Sequence, residues 1–100
     1  MILIETDHFI EINIILDGNL IGTAEIEPNK HVLERFVILE PYQNKGYGQK
    51  ALNLLKKRYN IKSLWVRSDN KKAIHIYEKA GFKRRKETMF GMEVEEWVLL

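Results

Sequence analysis

In residues 31–59, HVLERFVILEPYQNKGYGQKALNLLKKRY, the apolar residues change their period, and that change decides the fold. Val32, Phe36, Val37, Ile38 and Leu39 make residues 31–39 a mostly apolar strand of the kind found inside a sheet. From Tyr47 to Tyr59 the apolar positions 51, 52, 55 and 59 recur at helical spacing, with Lys50, Lys56, Lys57 and Arg58 elsewhere. This predicts an amphipathic helix that stops at Asn60. Between the two lies Gln43-Asn44-Lys45-Gly46-Tyr47-Gly48. Glycines there let backbone N–H groups approach an anion closely, and the helix start directs about half a positive charge at it, so a phosphate or pyrophosphate is the natural ligand. A nucleotide-binding Gly-Lys-Ser/Thr ending and the three spaced glycines of a dinucleotide fold are both missing. On its own the loop fits equally a turn that needs positive φ.

Working outward, Phe9 to Glu27 is β-rich around Asp17-Gly18-Asn19, a hairpin signal, and Ile2 to Glu5 supplies a strand before it. Downstream, Ile61 to Val66 reads as a short buried strand. Asp69 or Asn70 caps a second helix whose Ala73, Ile76, Tyr77 and Ala80 share one face, and Gly81 is the left-handed residue after its end. Phe82 to Arg85 and Val94 to Leu100 read as two final strands around Gly91. The fold class is therefore α+β: a mixed sheet of about six to seven strands with two main helices, parallel in the middle and antiparallel at the margins.

At 100 residues the chain is expected to form one domain, 1–100, and its balance of 45% hydrophobic and 30% charged residues excludes disorder. The absence of cysteine removes disulfides, thiolate metal sites and a cysteine nucleophile, and suits the cytoplasm. His8, His31 and His75 lack ligand spacing, so no metal is expected; no apolar run is long enough for a membrane span, and no signal peptide is expected at Met1 to Glu5. The net charge of +2 conceals a division. Residues 1–40 carry eight acids against Lys30 and Arg35, a net −6; residues 41–86 carry fourteen bases against Asp69 and Glu78, a net +12; residues 87–100 carry four glutamates and no base. Solvated helix faces account for much of this, but the pattern also suits a polyanion held by the centre and a cation drawn by the flanks. A nucleic-acid partner is disfavoured because no aromatic platform interleaves the bases.

Asn70, Ala73, Tyr77, Gly81 and Phe82 form the spacing N-x-x-A-x-x-x-Y-x-x-x-G-F. With Gln43 to Gly48, which fits Q/R-x-x-G-x-G/A, this second motif makes the chain from about Glu34 to Phe82 resemble the GNAT superfamily of N-acyltransferases, which use acetyl-CoA. The resemblance implies a GNAT-like acetyl-CoA-binding domain. It also implies that Phe36, Val37 and Ile38 hydrogen-bond the pantetheine arm through their backbone and that Gln43, Asn44, Lys45, Gly46, Tyr47 and Gly48 hold the pyrophosphate. Asn70 and Ala73 would meet the cofactor, and Tyr77 would lie near its sulfur. Two departures stand out. Pro41 sits one position later than the family's usual proline, and only Thr6 to His8 separates the first two strands where the family normally places two helices that wall the acceptor site.

Acyl transfer needs a neutral amine. A lysine-like amine of pKa about 10.4 is neutral in about one molecule in 2,500 at pH 7, a cost of about 4.6 kcal/mol, so a base or water chain must take its proton. Glu34 is the candidate base, with Glu25 and Glu27 as alternatives and a solvated strand carboxylate as the plain reading. Tyr77 is the candidate donor to the departing thiolate, against simple core packing. Direct attack in a ternary complex is expected, since no cysteine is present to carry the acyl group. An open acceptor side suits a protein lysine or N-terminus, drawn by Glu25, Glu27 and Glu93 to Glu96; a homodimer that supplies the missing wall would suit a small polyamine. The alternative function is a catalytically idle acetyl-CoA sensor. His31 and His75 are read as structural or exposed, and Trp65 and Trp97 as sheet-packing residues.

Overall fold

The structure, a computed structural model, describes residues 1–6, 10–27, 29–87 and 94–99. Asp17 and Gly18 take left-handed backbone, φ 51° and 79°, in the two-residue turn that strand twist favours, and join β2 (Glu11–Leu16) to β3 (Asn19–Glu27). The other strands are β1 (Ile2–Glu5), β4 (Val32–Ile38), β5 (Ser63–Arg67), β6 (Phe82–Glu87) and β7 (Val94–Leu99). They form one seven-stranded sheet in the order β1-β2-β3-β4-β5-β7-β6. Among the described residues only β4 and β5 pair in parallel, as the helical crossover α1 (Tyr47–Tyr59) between them requires. The mixed α+β reading with two helices, the second being α2 (Lys71–Lys79), is what the structure shows.

Boundaries differ in detail. The strand expected at Ile61 begins at Ser63, because Ile61 is buried beneath the end of α1 and Lys62 N–H donates to His31 O across to the strand before. Asn60 ends α1 in left-handed backbone, φ 53°, and Gly81 follows α2 at φ 96°. Phe9, Gly91, Glu93 and Leu100 lie outside the described residues.

Burial alternates along the strands, so one face of the sheet is covered and, among the described residues, the other is not. Leu33, Leu64 and Trp97 sit side by side across β4, β5 and β7 on the covered face, with Ile12, Ile14, Ala24 and Ile26 continuing it. Both helices pack there. A Cβ on Gly48 of α1 would lie 3.0 Å from Ile76 Cδ1 of α2, Gln49 Nε2 donates to Ile76 O at 3.3 Å, and Lys56 Nζ donates to Ala80 O at 2.6 Å. Each large apolar residue buried in this core stabilises the fold by about 1.5–3 kcal/mol.

β4 and β5 pair only at Val32↔Ser63 and Leu33↔Leu64, then part. The cause lies next to the split. Leu33 pairs with Ile26 and Arg35 with Glu25, so Glu34 is the extra residue of a bulge, which bends β4 at the point of separation. Gly22 lets β4 lean onto β3: a Cβ there would overlap the Val37 carbonyl oxygen.

Candidate functional site

The split opens into a cavity of about 450 Å³, within the range of small-ligand sites. One wall is β4. Its edge toward β5 has no strand partner from Arg35 onward, leaving backbone groups available, and Ile38 O accepts Gln43 Nε2 at 2.7 Å. A 3-10 turn, Glu40–Tyr42, follows with Pro41 in its first turn; Tyr42 N–H donates to Leu39 O and Gln43 N–H to Glu40 O. The next backbone is left-handed at Asn44, φ 63°, and again at Gly46, φ 83°. Gly46 is the N-cap of α1 and has no side chain to satisfy the helix start.

In consequence the backbone N–H groups from Asn44 to Gln49 find no acceptor among the described residues, and no acidic side chain lies in the first turn of α1. Left-handed backbone at Asn44 and again at Gly46, with these amides unpaired, is the kind of local geometry that suits an anion, and the helix dipole adds to it. Gln43 is not part of that run, since its own N–H serves the turn; its side chain latches the loop to the end of β4.

The opposite wall is α2. Asn70 Oδ1 accepts Ala73 N–H at 3.2 Å, so Asn70 and not Asp69 is the cap; Asp69 pairs instead with Arg67, whose hydrogen bonds hold its carboxyl below the usual range. Tyr77 is 4% exposed and packs edge-on against Phe82 with ring centroids 6.3 Å apart. Burial pushes its pKa up to about 12. Its hydroxyl has no protein partner among the described residues, yet no buried side-chain oxygen is left unpaired, so the hydroxyl opens onto the cavity that Tyr77 lines.

The cavity thus brings together Phe36, Val37, Ile38, Gln43, Asn44 and Gly46, and, across from them, Gly48, Asn70, Ala73 and Tyr77. Lys45 and Tyr47 contribute backbone to the run of unpaired amides but do not line the cavity; Lys45 is exposed and Tyr47 packs against the core. Glu34 does not line it either. Simple alternation puts Glu34 on the same face as Phe36, but the bulge turns both Glu34 and Arg35 out to solvent. Gln49, Lys72, His75, Ile76 and Lys79 line the cavity and were not singled out as site residues from the sequence. The signal was present: 72, 75, 76 and 79 fall on one side of the helix that carries Ala73. Lys72 and Lys79 make no ion pair among the described residues.

Other expectations need revision. Glu95 is buried, accepting Trp97 Nε1 at 3.1 Å and lying 3.7 Å from Arg84, and Glu96 pairs with Arg85 at 3.5 Å, so neither is free to attract a cation. Trp97 is a core residue, whereas Trp65 is 40% exposed on the open face. His31 Nδ1 lies 3.1 Å from Tyr59 O, a structural contact.

A parallel pair that splits, with an unpaired run of amides at one side and a buried tyrosine at the other, frames the cavity. Residues 3–82 match the model of the acetyltransferase (GNAT) family, and the chain belongs to that family. Among solved structures, the fold is similar to that of a variant of spermidine N-acetyltransferase SpeG from Vibrio cholerae, with 23% identity, TM-score 0.63, and coverage of 90% of this chain and 64% of that one. It is also similar to a ribosomal-protein-alanine N-acetyltransferase from Brucella melitensis, with 16% identity, TM-score 0.68, and coverage of 89% and 68%. A third is a Salmonella typhimurium protein described as a putative acetyltransferase with its cofactor acetyl-CoA, with 18% identity, TM-score 0.68, and coverage of 89% and 62%. The chain therefore spans under two thirds of the length of the first and third. No curated protein matches it. Among the described residues no cluster could hold a metal, and no helix is long and apolar enough to cross a membrane.

Proposed function

We propose that the chain is an acetyl-CoA-dependent N-acetyltransferase acting on a primary amine, with a protein lysine or N-terminus as the favoured acceptor and the cytoplasm as its compartment. The observation that carries this reading is the unpaired run of amides from Asn44 to Gln49 at the mouth of the β4–β5 split. Those amides suit a pyrophosphate, the free edge of β4 suits an amide-bearing arm lying as an extra strand, and Lys72 and Lys79 add positive charge at the rim.

Acetyl-CoA supplies an activated acyl carbon: the amine nitrogen bonds to it, the C–S bond breaks, and the proton lost by nitrogen is the one that finally rests on sulfur. Tyr77, protonated throughout the physiological range, donates a hydrogen bond to the departing sulfur. With a thiol pKa near 8.5, full transfer from a group near 12 would run uphill, so Tyr77 stabilises charge and does not give up its proton. Glu34, exposed at the bulge on the side away from the helices, is the proposed acceptor of the amine proton, directly or through water.

The test combines binding with turnover. Acetyl-CoA at 100 times its dissociation constant should stabilise the fold by about 2.7 kcal/mol, read as a thermal shift. Thiol release with a panel of amines and lysine-bearing proteins should follow. Binding without release for every acceptor would leave the idle-sensor alternative; no thermal shift at millimolar cofactor would end the reading. Glu34→Gln should lower the rate chiefly at low pH, where the amine is hardest to deprotonate, and an unchanged pH profile would assign that proton to water.

A further inference from the structure

We propose that a second cavity, on the far side of α2 from the one described above, is a binding site for a free α-amino acid with a large apolar side chain. Its volume is about 500 Å³, and no residue lines both cavities. Along α2 the residues at 72, 76 and 79 line the first cavity, whereas Lys71, Ile74 and Glu78, at helical spacing, form one wall of the second. Strands β6 and β7 form the other wall. Acetyl transfer uses none of these residues.

Glu95 makes this cavity more than a surface hollow. Alternation along β7 sets Glu95 on the same face as Trp97, where an apolar residue would be expected, and only 9% of its side chain is exposed. A carboxylate so placed needs several hydrogen bonds to offset its lost hydration. Among the described residues it has one. Oε1 accepts Trp97 Nε1–H at 3.1 Å, while Oε2 lies 3.7 Å from Arg84 Nη1, beyond hydrogen-bond range. No fully buried side-chain oxygen is left unpaired among the described residues, so Oε2 opens onto the cavity that Glu95 lines.

Charge and shape select the occupant. Arg84 neutralises Glu95, so a bare cation gains little there. A ligand with an ammonium group on the carbon next to its carboxylate carries the matching pair of opposite charges: the ammonium donates to Glu95 Oε2, and the carboxylate accepts from Arg84, with Lys71 adding positive charge at the rim. Glu78, on the wall that carries Lys71, balances the lining charges. Lys83 also lines the cavity, but its register partner Val98 lies on the other face from Trp97; Glu87 stands opposite Glu95 in register. Ile74, Phe82 and Trp97 supply apolar surface for the ligand's side chain.

The test titrates L-phenylalanine into the whole chain and follows backbone amide and indole N–H resonances. Saturable shifts are expected at the Trp97 indole and at the amides of Ser68, Ile74 and Arg84. Phenethylamine, which lacks the carboxylate, and hydrocinnamate, which lacks the ammonium, should each bind about tenfold more weakly. Glu95→Gln keeps an oxygen for the Trp97 indole, and so the fold, but should weaken phenylalanine binding about tenfold. Lys71→Ala, at an exposed position, should weaken it about threefold and keeps the test open if the first variant does not fold. No saturable shift at millimolar phenylalanine, shifts confined to Gln43–Gly48 and Tyr77, equal affinity for phenethylamine, or parental affinity in the folded variants would overturn the proposal.

Discussion

At the scale of single residues, the site depends on groups whose ordinary partners are missing. Tyr77 has a buried ring and a hydroxyl that opens only to the cavity, so Tyr77→Phe keeps the packing against Phe82 and removes one donor. Turnover is expected to fall by about 10² with cofactor affinity nearly unchanged, a split that steady-state kinetics and calorimetry will resolve. A rate within twofold of the parent would reduce Tyr77 to a packing residue. Gln43 calls for the reverse pattern. Its side chain ties the loop to Ile38 O, so Gln43→Ala should loosen the loop, weaken acetyl-CoA binding about tenfold and leave kcat alone.

Among the elements, the contact of α1 with α2 sets the width of the cavity. Gly48 permits that contact, since even one added carbon would meet Ile76 Cδ1 at 3.0 Å. Gly48→Val therefore acts on the wall between the helices as well as on the helix entrance. We expect a loss of stability of about 1–3 kcal/mol by denaturant unfolding, together with lost cofactor binding. Stability within 0.5 kcal/mol of the parent would show that the helices can separate without cost. At the edge of the sheet, Arg58 Nη1 donates to Leu3 O at 2.9 Å and Tyr59 hydroxyl to Glu5 Oε1 at 2.8 Å. The end of α1 thereby occupies one backbone carbonyl of the edge strand β1 that would otherwise be open to a foreign strand.

For the whole molecule, the tyrosines make stability depend on alkaline pH. Burial raises Tyr77 to about 12, and burial with the Glu5 hydrogen bond raises Tyr59 to about 12, against 10 in the unfolded chain. The folded state therefore holds protons that the unfolded state has released. Their contribution is complete below pH 10 and is lost as pH rises through about 12. Chemical unfolding should show stability falling across that window, less steeply in Tyr77→Phe; an equal slope in both proteins would show that Tyr77 is not protected by burial.

Apolar period, turn and cap residues and the helical connections made the two helices, the hairpin at Asp17-Gly18 and the central parallel pair legible, because each depends on residues close in the chain. The two motifs likewise named part of the cavity wall, since Gln43 to Gly48 and Asn70 to Tyr77 are each local. What the chain could not state locally was which residues would meet. Glu34 reads as a companion of Phe36 under strict alternation, and only the pairing of β4 with β3 creates the bulge that turns it outward. Lys72, His75 and Lys79 become site residues only because α2 crosses over the split, and Glu95 and Glu96 lose their freedom only by meeting Trp97, Arg84 and Arg85. Local backbone preference and apolar period thus determined the elements and the anion loop. Long-range pairing and burial decided the gap, the exposed face and the protonation of Tyr77, because those depend on neighbours distant in the chain.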